Sequence, residues 1–410
     1  MEQLKRHTDR LDEEGGRELA EKMKDEGLSV VMVYFTTVHH SERELEEFVA
    51  ALKDEMGRET ELVGVSVAGF MSDGTQGLMT SGALAVGLSG IETSTEELGE
   101  DPWTASEERI EEFYRENTGE GEMSVVFRPG GRRAGGEDLR NRIEDQITNF
   151  FQKPDRRESI VAEIRDELVE SGTGLAFRTW NAFYDLVEEE EEFLVNNSLD
   201  AGDWEKGYEA INGELRSSDG FYILNLPEDR LEISQVLPPT DENMDELEIV
   251  MESRDFRKTG NLIHEIDGKT ITDIKEEYPI ASSDLGKGGF SYYMLLSMED
   301  QRDAIGSIEL PVLMAAFDLE DLKEIHLVRA AHWDRYRSAV EESLDQIGEE
   351  EPVQLNVHVS KLNFFRNNTD RLRELMEKRF RDWNLVIGDS FAMEKYRNFM
   401  YPTLVVYNTD

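Results

Sequence analysis

The chain has 410 residues, of which 90 are Asp or Glu and 44 are Lys or Arg, leaving a formal charge of −46 and a pI near 4.4. So acidic a chain is not expected to hold nucleic acid, and zero cysteines exclude disulfides, thiol catalysis, iron–sulfur clusters and cysteine-based zinc sites. With 38% apolar residues it can still pack a core, and its length leaves room for two domains.

The acid is spread along the whole chain, and only 14 of the 44 basic residues are lysine. This pattern points to a salt-in halophile, where molar salt shortens the Debye length to about 3 Å and mutes the self-repulsion. A mesophilic protein using an acidic face as a nucleic-acid mimic would concentrate its acid in one region. No run of about 18 apolar residues offers a membrane span. Met1–Glu26 is charged and helical in pattern, without the apolar stretch of a secretory signal, so a cytoplasmic location is expected.

In chain order, residues 28–37 form a continuous apolar strand of the kind buried on both faces. Ser41 caps a helix through Met56, with Glu44 at the capping-box position and Leu45, Phe48, Val49 and Leu52 as its buried stripe. A second strand runs from Glu61 to Phe70, a turn covers Met71 to Gly77, and a third strand covers Gly82 to Leu88, with the first two strands parallel. Met123–Arg128 reads as a strand, Glu137–Phe151 as an amphipathic helix, and residues 154–157 as a charged joint. Residues 220–226 and 231–237 read as strands, and Pro238-Pro239 marks a boundary.

Beyond it, Asn261–Ile266 alternates like a half-buried strand, with Leu262, His264 and Ile266 on one side and Ile263 and Glu265 on the other. Asp267-Gly268 makes a tight turn and Thr270 caps a helix carrying Ile271, Ile274 and Tyr278. Apolar segments follow at 290–298 and 310–317, a helix at 334–347, a strand at 353–360, a long helix at 369–383, and strands at 385–389 and 399–407. The expected fold class is α/β: two packed α/β halves, residues 1–237 and 238–410, with mixed sheets and flanking helices.

The strand ending Glu265-Ile-Asp-Gly-Lys269 and running into a helix resembles the opening of the C-terminal half of FIST proteins. Gly64-Val-Ser-Val-Ala-Gly-Phe70 is similar to that family's Gly-Cys-Ser-Thr-Ala-Gly-Glu loop, keeping the glycines, Ser66 and Ala68, while Val65, Val67 and Phe70 replace its polar or reactive members. Residues 172–177 correspond to an internal glycine segment of the family. Gly388-Asp389 and Thr403-Leu-Val-Val406 correspond to its closing strands. The resemblance implies a non-enzymatic sensory module without a cofactor. It would bind a small ligand, amino acids among the candidates, and relay binding to a signalling protein or through self-association. The implied ligand-binding positions are Ser66, Gly69, Asp267, Gly268 and Asp389.

The residues also offer other chemistry. Arg128-Pro-Gly-Gly-Arg-Arg-Ala-Gly-Gly136 is a basic, glycine-rich loop in an acidic chain, and Arg132 and Arg133 are candidates for holding an anion, although the loop lacks the Gly-Lys-Ser/Thr of a P-loop. The glycine-rich 282–290 segment is a weaker candidate of the same kind. Ser66 lacks nucleophile-elbow spacing, because Ala68 stands where the second glycine belongs. His39, His40, His326 and His332 lack metal-motif spacing and read as surface or pocket histidines. Glu265 and Asp267 form a conceivable acid pair, but Asp267 more naturally accepts amides of its own turn. Glu188–Glu192 reads as a solvated face. Three functions remain open: a ligand sensor, an enzyme acting on a small anion, and a scaffold that has lost ligand binding. A pocket lined by Ser66, Asp267 and Asp389 would favour the first, and a filled apolar interior there the last.

Overall fold

The computed structural model describes residues 3–23, 27–119, 121–130, 145–169, 179, 182, 193–198, 207–217, 219–235, 248–260, 262–278, 290–298, 303–309, 312–314, 319, 322–331, 352–358, 362–393 and 403–407. The readings at 172–177, 188–192, 238–239, 282–289, 334–347 and 399–402, with Arg132 and Arg133, lie outside these residues. The fold is α/β, with three sheets and flanking helices among the described residues.

The first sheet is mixed and runs β1 (Gln3–Thr8), β5 (Ala83–Ser89), β2 (Leu28–Phe35), β3 (Glu61–Ser66), β9 (Tyr208–Ile211), β10 (Glu214–Ser217). β2 and β3 are parallel, Val30 opposite Glu61 through Phe35 opposite Ser66. The helical reading of the N-terminus gives way to β1 followed by α1 (Glu13–Glu21). A charged strand at a sheet edge leaves polar side chains such as Arg6 in water, and its composition resembles a helix surface.

α1 and α2 (Glu42–Met56) cover one face of this sheet. Asp12 caps α1 through the amide of Gly15 at 2.8 Å. In α2, Ser41 Oγ accepts from the Glu44 amide and the Glu44 carboxylate accepts from the Ser41 amide at 2.8 Å, a complete capping box. Leu45, Phe48, Val49 and Leu52 then face Val31, Val33 and Phe35 of β2. β2 is buried on both faces because its other side chains enter a second core.

That second core lies between the first sheet and a larger mixed one. Its order is β12 (Leu231–Gln235), β23 (Thr403–Tyr407), β21 (Val353–His358), β22 (Trp383–Met393), β8 (Phe193–Asn197), β7 (Glu122–Arg128), β11 (Tyr222–Pro227), β6 (Ser94–Glu97), with β4 (Gly69–Ser72) also pairing β22. β21 and β22 are parallel and joined through α6 (Leu362–Arg379). β7 and β8 are parallel, whereas β8 and β22 are antiparallel. Val30, Met32, Tyr34, Val63 and Val65 from one sheet meet Val125, Phe127, Tyr222, Val386 and Val405 from the other. α3 (Glu107–Asn117) sets Phe113 edge-on against Phe221 at 6.1 Å. This sheet draws strands from both sides of residue 237.

The third sheet is antiparallel: β13 (Glu248–Ser253), β20 (Leu322–Ala331), β17 (Phe290–Met298), β18 (Asp303–Glu309), β19 (Val312–Met314), β15 (Leu262–Ile266), β14 (Phe256–Thr259), with β16 (Lys269–Thr270) pairing β15. Asp267 and Gly268 have φ of 51° and 72°, as a two-residue hairpin of primed type requires. Thr270 and Asp273 form the capping box of α5 (Ile271–Glu277). The expected alternation breaks at His264, where a bulge lets Ile266 join Ile263 in one core while Leu262 enters another. The charged joint at Pro154 is a 3-10 turn opening α4 (Arg157–Val169), whose Ile160, Val161 and Ile164 are buried against Leu262 and Phe150.

Candidate functional site

The segment read as one strand from Glu61 to Phe70 is two strands in different sheets. The amide of Val67 donates to Phe35 O of the first sheet at 2.8 Å, and the next amide, Ala68, donates to Ile387 O of the second at 2.8 Å. The chain therefore crosses between sheets within one peptide unit. Gly69 continues as β4 opposite Ile387, and a β-carbon there would lie 2.9 Å from Met79 O, so the close approach of the bridge between Phe70 and Met79 requires glycine.

This crossing brings three of the seven candidate positions to one seam. Ser66 ends β3, wholly buried, and its Oγ accepts from the Tyr208 amide at 2.9 Å. Gly69 lies opposite Ile387, and Asp389, two residues further along β22, stands opposite Asn197 of β8. Asp267 and Gly268 are elsewhere, in the third sheet. The Asp267 carboxylate accepts from Ser253 Oγ at 2.6 Å, a hydroxyl at the end of β13 and not an amide of its own turn. Glu265 faces Arg257 at 3.4 Å and Arg157 at 3.7 Å, so the conceived acid pair is directed to separate partners.

Around the seam lies a polar network that sequence reasoning missed. Ser198 closes β8: its amide donates to Arg128 O at 2.9 Å, its hydroxyl accepts from the Gly130 amide at 3.2 Å, and it is in short contact with Glu209 Oε1. The other carboxyl oxygen of Glu209 accepts from the Gly220 amide at 3.1 Å. Glu209, opposite Val65 in the β3–β9 ladder, is 0% exposed. Burial raises its pKa to about 8, only partly offset by the Ser198 and Gly220 hydrogen bonds. At neutral pH the carboxyl therefore holds its proton.

Beside it, the Tyr222 hydroxyl is 2.7 Å from both Gly64 O and Ala210 O, so one proton from the second sheet is shared by two carbonyls of the first. Its ring stacks on Phe127 at 5.2 Å. Arg128 and Asn197 are each 2% exposed, and Asn197 Oδ1 has no hydrogen-bond partner among the described residues. A buried acceptor left open in this way is rare in folded chains.

The flank of Ser66 is filled. Val65, Val67 and Phe70 are all fully buried in the inter-sheet core. An open groove of about 560 Å3 lies at the opposite, amino ends of β2 and β3, lined by Leu28, Ile91 and the carboxylates Glu59, Glu61 and Glu92. His40 contacts Ser81 Oγ at 3.3 Å. Among the described residues no helix is long and apolar enough to cross a membrane. No family model matches the chain, and no curated protein matches it.

Proposed function

We propose that the chain is a non-enzymatic, ligand-sensing module of FIST type that takes a small amino-acid-like ligand at the seam around Asn197, Ser198 and Glu209. The observation that carries this reading is the convergence of Ser66, Gly69 and Asp389, from motifs more than 300 residues apart in the chain, on a buried polar network with an open acceptor at Asn197. The network closes the carboxyl ends of the parallel strands β7 and β8, beside the antiparallel β22. Such ends, where strand direction reverses, are where open α/β sheets receive ligands. An ammonium donor would satisfy Asn197 Oδ1, and the guanidinium of Arg128 would favour a carboxylate. A carboxyl that keeps its proton at neutral pH is a poor base for Ser198, which argues against acyl-transfer chemistry. The signal would leave through a protein partner or self-association, in the cytoplasm of a halophile, where a charge of −46 is screened.

A thermal-shift panel of amino acids and nucleotides in molar KCl tests the reading. A ligand at about 100 times its Kd adds roughly 2.7 kcal/mol of stability. One amino-acid class should raise the melting temperature by several degrees, and Asn197→Ala should abolish the rise. A panel without any shift would defeat the sensor and leave a second reading, a scaffold acting through protein contacts alone. The filled core at Val65, Val67 and Phe70 favours that alternative.

A further inference from the structure

Three metal-ligating side chains meet on one face of the third sheet, outside the seam. Glu324 and His326 are two residues apart on β20, so their side chains leave the same face. Glu252 of β13 is directly opposite His326 in the antiparallel register, which brings its side chain to that face too. His326 Nε2 lies 3.4 Å from Glu324 Oε1 and 3.9 Å from Glu252 Oε2, and one ligand atom from each residue fits within 4.8 Å of the others.

We propose that Glu252, Glu324 and His326 bind a divalent transition-metal ion of the zinc class. With metal–ligand distances near 2.0–2.2 Å, adjacent ligand atoms of a tetrahedral site stand about 3.4 Å apart. The His326–Glu324 separation already has that value, and Glu252, whose side chain is 57% exposed, has the rotamer freedom to close in from 3.9 Å. One imidazole with two carboxylates suits zinc, cobalt or manganese better than the soft, thiolate-seeking metals. Two independent features aim the site. His326 is only 6% exposed and turns Nε2 into the cluster. The second oxygen of Glu324 is held by Arg254 Nε at 2.9 Å, which turns the first toward His326. A water would complete the fourth position. β13 is the end strand of this sheet, so the ion would fasten an edge strand to its neighbour.

Cobalt titration of the 410-residue chain in molar KCl tests this, because salt suppresses diffuse binding to the many carboxylates and tetrahedral Co2+ has an intense visible band. The band should saturate at one Co2+ per chain and disappear on adding one equivalent of Zn2+. Glu252→Gln, at an exposed position, should weaken Co2+ at least tenfold with the fold unchanged by circular dichroism, and His326→Ala should remove the band. No saturating band, or a Glu252→Gln chain that binds Co2+ as tightly as the wild type, overturns the assignment.

Discussion

Replacing Glu209 by Gln tests the electrostatics of the seam. An amide has the shape of the protonated carboxyl and stays neutral: its oxygen can accept from the Gly220 amide as the carboxyl does, and its NH2 would face Ser198 Oγ, which donates to Oε1 in the wild type. Only the wild type can ionise. Its folded pKa, about 8, is above the ordinary value of 4.5 because the charged form is desolvated. The stability contributed by the protonated group is therefore fully present below pH 4.5, declines as the unfolded chain ionises, and is lost as pH rises through about 8. Each pH unit in that window costs about 1.4 kcal/mol. Between pH 5 and pH 8 the variant should thus gain on the wild type by about 4 kcal/mol in total, with the gap flattening above pH 8. Urea denaturation of both proteins at several pH values in molar KCl measures it, and the difference between them removes the titration of the other carboxylates. Parallel pH profiles would refute a buried, proton-holding Glu209.

Tyr222→Phe should lower stability by about 1–3 kcal/mol, measured by urea denaturation, because two buried carbonyls lose a shared donor while the ring still stacks on Phe127. Ser41→Ala removes half of the α2 capping box and should cost about 1 kcal/mol in the same assay, with no effect on ligand binding. Melting temperature should rise steeply between 0.1 and 3 M KCl, since a charge of −46 is screened over about 10 Å at the lower concentration and under 3 Å at the higher. A flat series would remove the halophile reading.

The elements that could be read from sequence are those whose causes are local. Ser41 and Glu44 announce α2 and its stripe completes it; Asp267-Gly268 and Thr270 do the same for the hairpin and α5. The sheet exchange at Val67–Ala68 could not be read, because periodicity reports which way side chains point but not which strand an amide bonds. Glu209 escaped notice because an acid in so acidic a chain reads as solvated, and only the ladder opposite Val65 places it inside. The one local signal was the apolar Phe193-Leu-Val ending in Asn196-Asn-Ser198, where a buried strand turns polar at its carboxyl end. The bulge at His264 likewise overrode a clean alternation, because the strand had to satisfy cores on both faces.

Calorimetric titration of amino acids into the wild type, Ser198→Ala and Ser41→Ala in molar KCl tests the central claim most directly. The account predicts that one amino-acid class binds the wild type at a single site, that Ser41→Ala binds it equally, and that Ser198→Ala, lacking the hydroxyl that joins the Gly130 amide to Glu209, weakens it at least tenfold, about 1.4 kcal/mol. Absence of binding to the wild type, or equal binding by Ser198→Ala, would contradict a ligand site at the seam.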